Sequence, residues 1–122
     1  MDVGNNIKVK KGAFSFGGKT PKNFDSHISK SVPLYELGQD LISKISSFFL
    51  NNESNVYDLG CSTGTLIKKI IKYNSKIKFK IIGVDKEPNM IKEAKKKLKR
   101  FKRVSLKCSD VRMLKLKNSD LI

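Results

Sequence analysis

Seven residues, Asp58-Leu59-Gly60-Cys61-Ser62-Thr63-Gly64, place a carboxylate and two glycines in one short stretch. Before them Val56-Tyr57 reads as a buried strand, and after them Thr65 to Ile71 repeats apolar residues at helical spacing. The stretch is therefore the turn of a strand-turn-helix unit. Gly60 lacks a Cβ and can take the positive φ of a sharp turn, and Gly64 lets the backbone come close to a ligand or a neighbouring strand. Two further carboxylates close later apolar runs, Asp85 after Phe79-Lys80-Ile81-Ile82-Gly83-Val84 and Asp110 after Val104 to Ser109.

These residue types define a ligand. Asp85 lies 25 positions beyond Gly60, about the distance at which the second strand of a nucleotide-binding unit delivers an acid to a ribose diol. An ionised carboxylate only accepts hydrogen bonds, so it matches two adjacent hydroxyls. A dinucleotide site needs three glycines and a helix start against a pyrophosphate, whereas the middle position here is Ser62. The turn suits a ligand without phosphates, with Asp58 answering positive charge. S-adenosyl-L-methionine, with its ammonium and sulfonium, is such a ligand. An NAD-linked oxidoreductase domain is disfavoured on the same ground.

The elements that must hold this crevice follow a β-α-β-α-β order. A second strand ends at Asp85, and a helix begins at Pro88 with Ile91, Ala94, Leu98 and Phe101 on its buried face and Lys95, Lys96, Lys97 and Lys99 on its wet face. A third strand ends at Asp110. That order predicts parallel strands joined by crossovers, with ligands bound at their carboxyl ends. Upstream, a short helix or turn is expected over 23–30. A longer helix follows from Pro33 to about Leu50, burying Leu34, Leu37, Leu41, Ile45 and Phe48. Residues 1–22 have no period and read as a flexible arm, anchored at most by Phe14 and Phe16. The final Asn118-Ser119-Asp120-Leu121-Ile122 reads as the opening of a fourth strand. The expectation is a sheet truncated after its third strand, with the first strand's open edge available for a homodimer.

Composition adds boundaries. At 122 residues and 39% hydrophobic the chain suits one globular domain. No apolar run reaches the roughly 20 residues that span a bilayer, and the start lacks a signal-peptide core, so a cytoplasmic location is expected. Cys61 and Cys108 are expected to be reduced thiols, and with His27 the only histidine no metal site is expected. Net charge is +15 and nearly all lysine, the only arginines being Arg100, Arg103 and Arg112. This is either a generally solvated basic surface or a polyanion site, and Lys92 to Arg103 is the candidate RNA contact, which also leaves open a non-catalytic basic RNA-associated module.

Val56 to Gly64, Lys80 to Asp85 with Glu87-Pro88-Asn89-Met90-Ile91, and Ser109-Asp110-Val111 resemble the first three motifs of class I S-adenosylmethionine-dependent methyltransferases. Phe24-Asp25-x-His27-Ile28-x-x-Ser31-Val32-Pro33-x-Tyr35 is similar to the segment before the first strand in carboxy-S-adenosylmethionine synthases, the bacterial enzymes serving tRNA wobble-uridine modification. The resemblance runs from about Phe24 to Ile122 and covers the first half of that family's domain. It implies a three-layer Rossmann-like methyltransferase fold of which residues 23–122 are the cofactor-binding half. It also implies cofactor contacts at Tyr35, Asp58, Gly60, Cys61, Ser62, Gly64, Asp85, Lys86, Asp110 and Val111. Within that set Gly60 lines the methionine part, Asp85 holds the ribose hydroxyls, Asp110 and Val111 meet the adenine edge, and Tyr35 covers the reactive end with His27 nearby. Three positions depart from the synthase pattern: Leu34 for a glycine, Thr63 for a bulkier apolar residue, and Lys86 for an asparagine. The implied activity is methyl transfer to an unidentified acceptor, with the synthase reaction as alternative. No catalytic base is named.

Overall fold

The computed structural model describes residues 20–122, so the arm with Phe14 and Phe16 lies outside the described residues. Seven main elements follow in order: α1 (Thr20–Ser31), α2 (Tyr35–Ser46), β1 (Asn55–Leu59), α3 (Thr65–Tyr73), β2 (Lys80–Asp85), α4 (Pro88–Leu98) and β3 (Val104–Cys108). A single 3-10 turn at Val111–Met113 comes after them. The three strands form a parallel sheet in the order β1-β2-β3, with Val56 opposite Ile81 and Ile81 opposite Val104. Among the described residues no helix is long and apolar enough to cross a membrane.

The core lies between this sheet and α3 with α4. Ile67, Ile70 and Ile71 of α3 and Ile91, Ala94 and Leu98 of α4 close over Val56 and Ile81. Each of these isoleucine, leucine and valine side chains contributes about 1.5–3 kcal/mol on full burial. Two glycines set how near the layers come. A Cβ on Gly83 would stand 2.6 Å from Ile67 Cδ1 and 2.8 Å from Leu106 Cδ2, and one on Gly64 would stand 2.6 Å from Leu98 Cδ1. The outer edge of β1 is partly occupied. Leu121 forms a parallel bridge with Val56, Tyr57 N–H donates to Leu121 O (3.0 Å), and Asp120 N–H donates to Asn55 O (2.9 Å). The last residues therefore start a fourth parallel pairing on the edge that the sequence reading leaves open.

Helix α2 corrects the sequence reading most. Pro33 lies in the turn before the helix, and the helix ends at Ser46 rather than near Leu50. Its apolar stripe faces water: Leu34 is 74% exposed, Phe48 85%, and Leu37, Leu41 and Ile45 are exposed too. The buried face carries Gln39, Ser43 and Ser46. Small hydroxyl side chains let α2 approach α3 closely and satisfy themselves on the way. Ser43 Oγ donates to Gln39 O and Ser46 Oγ to Ser43 O, while Asn74 Nδ2 at the end of α3 donates to Ser46 Oγ (2.9 Å). Helix α1 spans Thr20–Ser31, starting three residues before and ending one residue after the expected 23–30.

Backbone strain sits at Leu34, whose φ is 60° with ψ 17°. This is left-handed space that costs a residue with a Cβ about 1–2 kcal/mol. The departure from glycine seen in the sequence is thus a departure at a position whose geometry favours glycine. Leu34→Gly should leave stability unchanged or raise it by up to about 1 kcal/mol, as the relieved strain outweighs the added chain entropy. Gly64→Ala, at φ +78 and against Leu98, should lower stability by about 2 kcal/mol or more. Urea denaturation of both variants measures this pair, and a large loss in the Leu34 variant would contradict the strain assignment.

Candidate functional site

The glycine turn is stitched to the carboxyl end of β2. Gly60 N–H and Cys61 N–H both donate to Val84 O (2.7 and 2.9 Å), and Ser62 N–H donates to Asp85 Oδ2 (2.9 Å). Gly60 takes φ +82 and Ser62 φ 50, so the chain reverses through two left-handed residues before Gly64 opens α3. A Cβ on Gly60 would meet nothing within 4 Å, so its φ alone explains the glycine there.

Two cavities flank the turn. The larger, about 330 Å³, is lined by Gly60, Ser62, Asp85, Lys86, Asp110 and Val111, together with Glu87, Met90 and Ser109. A smaller one, about 70 Å³, lies on the other side of the turn, lined by Tyr35, Asp58, Gly60, Cys61 and Ser62, with Phe24, Asp25, Gln39 and Thr63 among the rest. Gly60 and Ser62 line both, so the two rooms meet over the turn. Nine of the ten sequence-derived positions therefore lie on one crevice. Gly64 lines neither room and serves the contact of the turn with Leu98 and Ala94. His27 lines neither as well, and its ring Nε2 stands 3.4 Å from Ser31 Oγ one helical turn on.

The acids are held in different ways. Asp85 is anchored at both oxygens, Oδ2 by Ser62 N–H and Oδ1 by Glu87 N–H (2.9 Å each). A carboxylate has about four acceptor sites, so room remains for a diol. The Asp58 side chain has no hydrogen-bond partner among the described residues, and burial together with the Asp85 charge raises its pKa to about 6. The same burial, with the charges of Asp58 and Asp85, pushes the Cys61 thiol up to about 12, which leaves it a poor nucleophile. Burial, then the charges of Asp25 and Asp58, raise the Tyr35 hydroxyl. At the third strand end Asp110 caps the 3-10 turn, and hydrogen bonds from the Arg112 side chain and backbone hold it down at about 2.

One cluster escaped sequence reasoning. Lys97, expected on the wet face of α4, turns inward and spends all three ammonium donors on Asp25 Oδ2 (2.6 Å), Thr63 Oγ1 (2.9 Å) and Thr65 Oγ1 (2.6 Å). The two hydroxyls in turn donate to Asp25 Oδ1. Burial raises Asp25, but Lys97 and the threonines more than offset it and hold the carboxyl below its usual range. The cluster ties α1 and α4 to the turn. Its one trace in the sequence is Asp25 inside the upstream motif, since nothing local marks Lys97 among its lysine neighbours.

Comparison with known proteins agrees with this architecture. The family described as Methyltransferase domain matches residues 50–122, more than half of the chain. The chain belongs to the class I S-adenosylmethionine-dependent methyltransferase family. S-adenosyl-L-methionine is the cofactor of that family, and the Rossmann-like methyltransferase fold is the one seen here. Similar curated proteins include the carboxy-S-adenosyl-L-methionine synthase of Glaesserella parasuis serovar 5, 34% identical over 93% of this chain and 48% of its own length. That of Colwellia psychrerythraea is 38% identical over 73% of this chain and 36% of its own. The chain thus spans about half the length of the curated relatives it matches, or less. Among solved structures, a candidate S-adenosylmethionine-dependent methyltransferase of Methanococcus maripaludis aligns with a TM-score of 0.65 at 23% identity, over 88% of this chain and 48% of that one. The N-methyltransferase NodS of Bradyrhizobium japonicum aligns with a TM-score of 0.54 at 20% identity, over 72% and 47%. Both share the methyltransferase-domain fold.

The raised Asp58 pKa carries a stability sign. An acid at about 6 in the folded chain and 3.8 unfolded favours folding below pH 4, and that contribution is lost as pH rises through 6. Asp58→Asn removes the charged form altogether, so near pH 7.5 it should stabilise the methyltransferase domain by about 1–3 kcal/mol, the gain fading near pH 4. Urea midpoints at the two pH values measure it; an equal shift at both would mean that charge is not the cause.

Proposed function

We propose that this chain is the cofactor-binding part of an S-adenosylmethionine-dependent transferase acting on an acceptor supplied elsewhere. The observation that carries the reading is the pair of rooms joined over the glycine turn, one rimmed by Asp85 and the other by Asp58. Asp85, both oxygens already oriented, would take the ribose hydroxyls. Asp58, its side chain without a hydrogen bond among the described residues and its pKa raised to about 6, would lose its proton to meet the ligand's ammonium. Tyr35, which lines the small room together with Asp58, would cover the sulfonium end. The sulfonium supplies the electrophile, so alignment of the acceptor is the main task left to the protein. Asp110 enters this scheme already paired with Arg112, so its adenine contact would use what acceptor capacity that pair leaves.

A second reading is a carboxy-S-adenosylmethionine synthase-like role in tRNA modification. It is supported by the curated relatives' descriptions and by the upstream motif, whose Asp25 and Tyr35 both line the small room. Mass spectrometry of ligand retained on the purified protein separates the two, because only the synthase-like role leaves a cofactor carrying an added carboxylate.

Calorimetric titration with S-adenosylmethionine and S-adenosylhomocysteine tests the first reading directly. Binding should be measurable at neutral pH and weaken towards tenfold per unit below about pH 6, where Asp58 holds its proton. Asp85→Ala should weaken it at least tenfold, about 1.4 kcal/mol. A folded protein that gives no heat with either ligand would overturn the assignment.

A further inference from the structure

A wide cleft, about 1060 Å³, opens at the amino ends of the strands, away from the crevice. Asn55 and Lys80 start β1 and β2 there, and the Arg100–Arg103 segment leads into β3. Five cations line it, Lys78, Lys80, Arg100, Lys102 and Arg103, against one acid, Glu53. None of the five is ion-paired among the described residues, where the bridges are Lys69–Asp40, Lys96–Glu93, Lys97–Asp25 and Arg112–Asp110. Both arginines are held in place. Arg100 lies over the Phe101 ring (5.0 Å), and Arg103 lies over the Phe79 ring (5.2 Å) while donating to Ile77 O. The expected basic face of α4 is less uniform than its sequence, since Lys97 turns inward and Lys96 pairs with Glu93.

We propose that this cleft binds the phosphodiester backbone of a single-stranded nucleic acid. Unpaired cations at close quarters raise each other's potential, and a phosphate chain relieves that repulsion while releasing its own counterions. Oriented guanidinium forks match phosphate oxygens in pairs, as point charges do not. A bilayer is flat and does not fill a recess, which argues against a lipid surface. The cleft and the crevice are separated by the length of the strands, about 17–20 Å for five or six residues. Nucleotides seated here are therefore anchored rather than presented for reaction. The cleft is a docking site independent of the cofactor assignment.

Fluorescence anisotropy with a labelled mixed-sequence RNA of about 16 nucleotides tests this, with the DNA counterpart and polyglutamate as competitors. Affinity should fall with salt at a logarithmic slope of about −3, or roughly a hundredfold between 50 and 200 mM. The variant Lys78→Gln/Lys80→Gln/Lys102→Gln removes exposed groups with no side-chain partners among the described residues, and should lose at least tenfold in affinity and about two units of slope. A second variant, Lys92→Gln/Lys95→Gln/Lys99→Gln on the α4 face, should stay within threefold of the parent. Circular dichroism and cofactor titration confirm that both remain folded. DNA competing as well as RNA would show that the backbone alone is read, and weaker competition by DNA that the 2′-hydroxyl contributes. Equal losses in the two variants, polyglutamate competing as well as RNA, or no binding at 50 mM salt would each overturn the proposal.

Discussion

Everything in the crevice depends on one joint, the seating of the glycine turn on the end of β2. Val84 O accepts from two successive amides of the turn, and Asp85 receives a third one residue on. Three amides that a sharp reversal would leave without partners are thereby satisfied on a neighbouring strand. The joint also fixes register: it works only with Leu59 opposite Val84, because a slip of one residue would turn the Asp85 side chain to the other face of the sheet. The left-handed conformation of Ser62 is the local strain this seating imposes, while Gly60 takes its own without a Cβ to penalise it. They bring the backbone between the two rooms without a side chain blocking the passage at Gly60.

The joint also explains why two nearby carboxylates behave differently. Asp85 has both carboxylate oxygens bonded to backbone amides. Asp58 has burial, a negative neighbour and, among the described residues, no donor, so it holds its proton to higher pH than an ordinary carboxyl. One acid is thus a fixed acceptor and the other an adjustable charge. A cationic ligand arriving between them would settle the second acid into its ionised form, and proton release would accompany binding.

The sheet and its two covering helices were legible because their signals are strong and local. Acids lie at or just past the strand ends, although β3 stops at Cys108, two residues short of the expected Asp110; Pro88 opens α4, and isoleucines at helical spacing mark α3. The crevice was legible for the same reason, since its acids and glycines sit at strand ends that periodicity can place. Two features were not. On α2 the spacing of leucines correctly gave a helix and wrongly gave its buried face, because close approach to α3 is set by serines whose hydroxyls return to their own backbone. Asp25 and Lys97 meet across 72 positions, and one lysine in a run of lysines carries no mark of the partner it will find. The different reasons given for Gly60 and Gly64 in the sequence have their counterparts in the structure, where the first answers to torsion alone and the second also to a leucine 2.6 Å from where its Cβ would stand.

The inverted helix α2 bears on how the chain would fare in a cell rather than in a cuvette. A run of exposed leucine, isoleucine and phenylalanine on a folded surface presents the same cue that quality control reads on an unfolded one. Turnover would then follow the occupancy of that face more closely than the folding equilibrium. Any polypeptide surface that covers the stripe would lengthen the lifetime of the protein without adding a contact to its core.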